Sequence, residues 1–270
     1  MQKMKELSIR AVKSKIITSK SEQKIGTSKA KILLEYILPA LQKSPLKNGD
    51  IFVVSSKVVA VVQGRTVKIK DQKQFDWLVR QEADQIIEEN GSKKTRPVTL
   101  TLKNNIFIPW AGIDRSNIQK DHAVLWPHEP YEFADELCKE LKKQFKLKNF
   151  GVILVDSFCV PLRKGVFGIA LGYAGFQGVT DQRGQKDLYG NTLKVTQENV
   201  VDSLATMANL VMGQSTEQTP FAVITNAPVK FSQKTVQKNE VLMNAQECLF
   251  EPLYKNLQQP ASPKRTSKRK

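Results

Sequence analysis

Apolar and polar positions change period along this chain, and each change marks an element. From Thr27 to Leu41, apolar residues fall at Ile32, Leu33, Tyr36, Ile37 and Ala40. That is helical spacing, with Thr27 or Ser28 placed to cap the first turn. Ile51-Phe-Val-Val54 is an unbroken apolar run after Asn48-Gly-Asp50, which predicts a buried strand. Val58 to Val62 continues the apolar stretch until Gly64-Arg65 ends it. Phe75 to Glu89 reads as a second helix closed by Asn90-Gly91. Val98 to Ile108 is a strand region, Pro130 to Lys143 a helix rich in Glu and Lys, and Gly151 to Val155 the clearest buried strand. Val166 to Tyr173 is strand-like, and Gly168 and Gly172 inside it indicate bends or close backbone approach. Thr196 to Met212 has helical spacing at Val200, Leu204, Met207, Ala208 and Val211, and Gly213 stops it. Pro220 to Thr225 predicts a last buried strand, and Ile9 to Ile17 a first one with a basic interruption. Ala111 to Asn117 and Asp181 to Asn191 are polar loops. Helices and strands are mixed without regular βαβ alternation, so the expected fold class is α+β.

The chain has 270 residues, room for one large domain or two interleaved ones. No stretch approaches the roughly 20 apolar residues of a membrane span. The segment from Met1 to Lys15 lacks the apolar core of a signal peptide, and a cytoplasmic location is expected. The three cysteines, Cys138, Cys159 and Cys248, form no C-x-x-C pair and suggest neither disulfides nor zinc. His122 and His128, six apart near Trp126 and Pro127, are a poor metal pair and read as solvated or packing residues. The formal net charge is +16, but five cations lie in the last eight residues, Pro263 to Lys270, after a linker-like Gln258-Gln-Pro-Ala-Ser262. Residues 256–270 are expected to be a disordered basic tail, and any contact with nucleic acid is expected through it alone.

Two carboxylates stand out by position. Asp156 follows the strand Val152 to Val155, and Asp114 lies in the loop Gly112-Ile-Asp-Arg-Ser-Asn117. A carboxylate at a strand end can hold a hard cation while the loop beyond leaves coordination sites open. Ser157 and Gln214 would add neutral oxygens. An Asp after a strand serves equally as a turn former or a helix cap. Ser55-Ser-Lys57 offers hydroxyls and one cation to an anion without the P-loop pattern, and is otherwise a polar strand end. Met212-Gly-Gln-Ser-Thr-Glu-Gln-Thr219 could wrap a nucleotide, or be only a helix terminus and loop.

Taken together and in order, these segments resemble the coenzyme F420-0:L-glutamate ligase family. Gly49 to Val59 with Gly64-Arg65 looks like its first motif, and Ala111 to Asn117 is similar to its second. Val155-Asp-Ser-Phe158 with Pro161-Leu-Arg163 resembles the third. Asp181 to Gly184 with Asp187 to Gly190, then Asp202 to Ala205 through Met212-Gly-Gln214, complete the series over residues 7 to 228. The resemblance implies a GTP- or ATP-dependent ligase that uses Mg²⁺ or Mn²⁺. It would join L-glutamate to a carboxylate acceptor, a lactyl-phospho-deazaflavin in the family, through an acyl phosphate. It places the metal on Asp114, Asp156, Ser157 and Gln214, with Asp114 and Asp156 the catalytic pair. It places the nucleotide on Ser56, Lys57, Asn117 and Met212, Gly213, Gln214, Ser215, Thr216, Glu217, Gln218 and Thr219, with a further loop within Lys13 to Ile16. It also implies a homodimer of two interleaved domains, one from residues 1–95 plus 195–255 and an inserted one from 96–194.

The chain departs from the family pattern at two points. Ala60-Val61 stands where a Ser-Lys pair is usual, and Cys159-Val-Pro-Leu-Arg163 replaces a Gly-Arg-Pro-Trp-Arg. Changes of this kind alter substrate choice more readily than fold. Two other readings remain at the level of sequence. One is a non-catalytic nucleotide- or nucleic-acid-binding protein on the same scaffold, and the other a metal-dependent nucleotide hydrolase.

Overall fold

The computed structural model describes residues 6–18, 28–88 and 98–254. In chain order the elements are β1 (Ser8–Val12), α1 (Lys29–Leu41), β2 (Asp50–Ser55), α2 (Ser56–Val62), β3 (Thr66–Lys68), α3 (Gln72–Glu82) and β4 (Gln85–Glu88). They continue as β5 (Leu100–Lys103), β6 (Ile106–Pro109), β7 (His122–Val124), α4 (Pro130–Phe145), β8 (Gly151–Phe158) and β9 (Phe167–Ala174). The last are β10 (Val179–Asp181), β11 (Gln197–Asn199), α5 (Val200–Met212), β12 (Phe221–Thr225) and α6 (Glu251–Tyr254). The class is α+β, as the periodicity indicates. No described helix is long and apolar enough to cross a membrane. The expected tail and the Asn90-Gly91 stop lie outside the described residues.

Four expected boundaries move, each for a local reason. The first strand ends at Val12, and residues 13–18 run on without strand pairing. The helix expected to reach Glu89 stops at Glu82, because Ala83 turns extended and Gln85–Glu88 pairs with Leu100–Lys103 as β4. The region Val98 to Ile108 is a hairpin, β5–β6, turned by Asn104 and Asn105, both in the left-handed region. Asparagine tolerates that region better than other chiral residues, so the pair suits a two-residue turn. The last long helix begins at Val200, since Gln197–Asn199 pairs with β10, and the Asn199 side chain then accepts from Asp202 N–H as the cap. Ser28 caps α1, accepting from Lys31 N–H, and Thr27 lies outside the described residues.

The central sheet has the order β1-β12-β2-β8-β9, with β2 and β8 parallel and the other pairs antiparallel. It joins β8 and β9, from within the segment 96–194, to β1, β2 and β12. Side chains on a strand alternate between faces, so each central strand fills two cores. Phe52, Val54, Val152 and Leu154 pack against α1 and α4, while Ile51, Val53, Ile153 and Val155 pack against α5. A Cβ at Gly168 would stand 2.5 Å from Ala205 O of α5, and one at Gly172 would stand 2.5 Å from Pro130 C of α4. Both glycines therefore admit a helix backbone that any side chain would exclude.

Smaller sheets lie beside this layer: β4-β5-β6, the pair β3-β7 and the pair β10-β11. Helix α3 closes a separate apolar cluster of Ile69, Phe75, Leu78, Val79, Ile113, Ala123 and Leu125.

Strand direction decides where the site lies. Ser55 is in register with Val155, so the carboxyl ends of the two parallel strands are neighbours. Phe221 at the start of β12 is opposite Val54, and Val12 at the end of β1 is opposite Phe221. Four segments therefore emerge at one end of the sheet: residues 13–18, 55–58, 156–158 and 213–220. The ends of parallel strands are where open α/β sheets place ligands.

Candidate active site

These four segments, with the loop after Ile113, enclose a cleft of about 840 Å³. Asp114, Lys57, Asn117, Asp156, Ser157 and residues 212–219 all line it. The structure thus brings together residues spread over more than 150 positions of sequence. Ser56, expected among the nucleotide contacts, is instead buried, and its hydroxyl bonds to the Asp156 carboxylate.

Lys57 lies in the first turn of α2, and its Nζ is 2.5 Å from Asp114 Oδ2. The same ammonium donates to Ser116 O at 2.9 Å and contacts Ser116 Oγ at 3.0 Å. Ser116 in turn donates through its N–H to Asp114 Oδ1 at 2.6 Å and through its hydroxyl to Oδ2 at 2.9 Å. Burial works against ionisation of Asp114, but Lys57 and the two Ser116 donors outweigh it and hold the carboxyl below its ordinary range.

Asp156 has the opposite balance. Burial pushes its carboxyl up to about 6, against hydrogen bonds from Ser56, Trp126 and the Ser157 backbone, and the negative charge of Asp114 pushes the same way. Its Oδ2 accepts from the Trp126 indole N–H at 2.5 Å. Alternation along β8 sends Asp156 towards α2 and Ser157 towards α5. Ser157 Oγ there donates to Gln214 Oε1 at 2.8 Å. Leu154 faces Gly172 but Val155 faces Ala170, so Leu171 of β9 is the extra residue of a bulge opposite the step from Leu154 to Val155.

The segment 213–219 is braced throughout. Asn117 Nδ2 donates to Ser215 O at 3.0 Å, Ser215 N–H to Glu217 Oε2 at 2.7 Å, and Ser14 N–H to Gln218 O at 3.1 Å. Thr219 Oγ1 donates to Met212 O at 2.5 Å. Residues 14–18 line the cleft beside it. At the far end Val61 lies in a small apolar cluster with Ala60 and Val124, against Ile17 and Ile118. Lys68, which composition and spacing do not mark, and His122, which spacing reads only as a solvated or packing residue, also line the cleft. Ser116 was legible as part of the Asp-Arg-Ser motif. Trp126 carried no local signal beyond the general need of a buried indole N–H for an acceptor.

Among the described residues no group of three His, Cys, Asp or Glu side chains could hold a metal. Two carboxylates with neutral oxygens suit a cation that keeps much of its water and binds phosphate as well, as Mg²⁺ does. Asp114 is already paired with Lys57, whereas the hydrogen-bond partners of Asp156 (Ser56, Trp126 and the Ser157 backbone) are all neutral, so a divalent cation in the cleft would add positive charge beside Asp156.

Fold and site together define an α+β protein with a cleft, lined by Lys57, Asp114 and Asp156, at the carboxyl ends of two parallel strands. The family model described as F420-0:Gamma-glutamyl ligase matches residues 24–226 of the chain. A "Coenzyme F420:L-glutamate ligase" of Methanococcus maripaludis is 34% identical over 229 residues, covering 80% of this chain and 91% of that protein. One of Methanocaldococcus jannaschii is 34% identical over 199 residues, covering 69% and 79%. The chain belongs to the F420-0:Gamma-glutamyl ligase family.

Proposed function

We propose that this protein is an amide ligase that adds L-glutamate, or a similar amino acid, to a carboxylate-bearing acceptor, coupled to GTP or ATP. The names of its relatives support glutamate as the amino acid. The observation that carries the reading is the convergence of Lys57, Asp114, Asn117, Asp156, Ser157 and the 212–219 loop on one cleft.

In the proposed sequence an acceptor carboxylate oxygen attacks the γ-phosphorus. The bond to the bridging oxygen breaks, and nucleoside diphosphate leaves with that electron pair. The glutamate amine then attacks the acyl carbon of the resulting acyl phosphate. A C–N bond forms, inorganic phosphate departs, and the nitrogen loses a proton to solvent. No protein nucleophile is required, so catalysis rests on positioning and electrostatics. Lys57 presents positive charge to the phosphates from the start of α2. Asn117 fixes the 213–219 loop through Ser215 O, which shapes the nucleotide wall. Asp114, Asp156, Ser157 and Gln214 would hold Mg²⁺ or Mn²⁺, whose charge would offset that of the phosphates.

A homodimer is part of the same reading. Leu188 and Tyr189 on the loop after β10, and Leu210 on the outer face of α5, are exposed apolar side chains that a second copy would cover.

The test is nucleotide turnover with Mg²⁺ or Mn²⁺, with and without L-glutamate and a panel of carboxylate acceptors, beside Asp156→Ala. Acceptor-dependent turnover with a new amide product, lost in the variant, supports the ligase. Turnover without any acceptor points to a nucleotide hydrolase. Metal-dependent nucleotide binding without turnover points to a binding protein.

A further inference from the structure

Trp126 is a buried side chain that does not line the cleft, yet it touches both carboxylate-bearing segments. Its indole N–H donates to Asp156 Oδ2 at 2.5 Å. Its ring lies against Gly112, two residues before Asp114, so closely that a Cβ at position 112 would overlap Nε1 and Cε2. Gly112 has φ +72°, and Trp110 and Ala111 before it are also left-handed, at +52° and +54°. Three such residues in succession give the chain a tight turn, with the indole packed into it, immediately before Asp114.

The ring is itself fixed from behind. Arg65 Nε donates to Trp126 O at 3.1 Å, and Lys103 Nζ lies 6.0 Å from the ring centroid. Glu82 at the end of α3 ties the two cations together, 2.7 Å from Arg65 Nη2 and 2.5 Å from Lys103 Nζ. Ile108 of β6 and Leu171 of the β9 bulge pack around the indole. The contacts run without a break from α3 through Trp126 to the end of β8.

We infer that Trp126 is the positioning residue of the cleft: its N–H orients the Asp156 carboxylate while its ring seats the Asp114 turn, so that the two carboxylates can share one divalent cation. The inference rests on the metal reading proposed above. Partners that orient a ligating carboxylate are worth ~10–100-fold in metal affinity.

The test is Mn²⁺ binding to nucleotide-free protein, read from the loss of the free-ion electron paramagnetic resonance signal. Trp126→Phe removes the N–H together with part of the ring. Benzothienylalanine at position 126 keeps the bicyclic shape and removes only the N–H, so it decides the matter if Trp126→Phe does not fold. 5-Fluorotryptophan at the same position keeps both. About tenfold or greater weakening in the first two, with affinity retained in the third, is the expected result. Affinity within twofold of wild type for the benzothienyl protein, while Asp156→Asn abolishes binding, would overturn the inference and leave the metal reading intact. Equal binding by wild type and Asp156→Asn, or none by either, would overturn both.

Discussion

Lys57 Nζ and Asp114 Oδ2 stand 2.5 Å apart, although 57 residues of sequence separate them. The side chains are 24% and 44% exposed, so the pair adds at most about 1 kcal/mol to stability. Its importance lies in the charge it brings to the cleft. Lys57→Ala is expected to lower nucleotide turnover by about 100-fold or more, the usual effect of losing one electrostatic contact in a reactive site. Thermal melting is expected to shift by no more than about 4 °C. Steady-state kinetics beside a melting curve checks both, and a large stability loss with normal turnover would refute this assignment.

Asp156 predicts a pH dependence of stability. Its folded carboxyl titrates near 6, above the ordinary value of about 3.9. Between those values the folded protein holds a proton that the unfolded chain has released, so stability falls as pH rises through this window. The metal-free protein should therefore lose stability from pH 4 to pH 6.5 relative to Asp156→Asn, in which this contribution is absent. Denaturant midpoints of the two proteins across that range are the measurement. A constant difference between them would contradict the burial of the carboxylate.

If Asp156 holds the metal as proposed, protons and metal would compete for the same oxygens. Mn²⁺ affinity should accordingly be flat above about pH 7 and fall by up to tenfold per unit below about pH 6, as Asp156 takes up its proton. Titrations at pH 5, 6, 7 and 8 show this directly. With metal and nucleotide both at 100 times their dissociation constants, each bound species would stabilise the fold by about 2.7 kcal/mol, and chelation should reverse the metal's share.

Gly168 predicts a packing defect on substitution. A Cβ there would meet Ala205 O at 2.5 Å and Asn209 Cβ at 2.6 Å, both on α5. Gly168→Ala should destabilise the protein by about 1–3 kcal/mol, the usual cost of overpacking. Because α5 leads into the 213–219 loop, nucleotide affinity should fall as well. Chemical denaturation and nucleotide titration of the variant test the two parts separately.

The three cysteines should differ in reactivity. Burial pushes the Cys138 thiol up to about 11, and it is 3% exposed, whereas Cys159 and Cys248 are only partly buried. A thiol reagent at pH 8 should modify two sites quickly in the folded protein and the third only after unfolding. Fast modification of all three would show that α4 opens readily.

Much of the fold was legible in local pattern. Ile51–Val54 and Gly151–Val155 are apolar runs, and both became central strands with two buried faces. The helical spacing after Lys29 and Pro130 also held, because each repeats over several turns. Boundaries moved where a short segment found a pairing partner far away. Gln85–Glu88 continues a helical pattern by composition, yet it pairs with Leu100–Lys103. Val58 to Val62 had no decisive period and became α2, which sets Lys57 at its first turn.

The sequence by itself determined the residue types of the site and their order: Lys57, Asp114, Asp156 and the 212–219 loop. It did so because motifs keep chemistry and local turn geometry together. Only the tertiary structure decided that these residues share one cleft. That follows from the parallel pairing of β2 with β8 and the antiparallel placement of β12 and β1, which turn four distant segments to one end of the sheet. Only the tertiary structure decided, too, that Asp114 is paired with Lys57 while Asp156 is raised by burial and held by Trp126. Burial and charge are properties of neighbours in space, and no spacing along a chain encodes them.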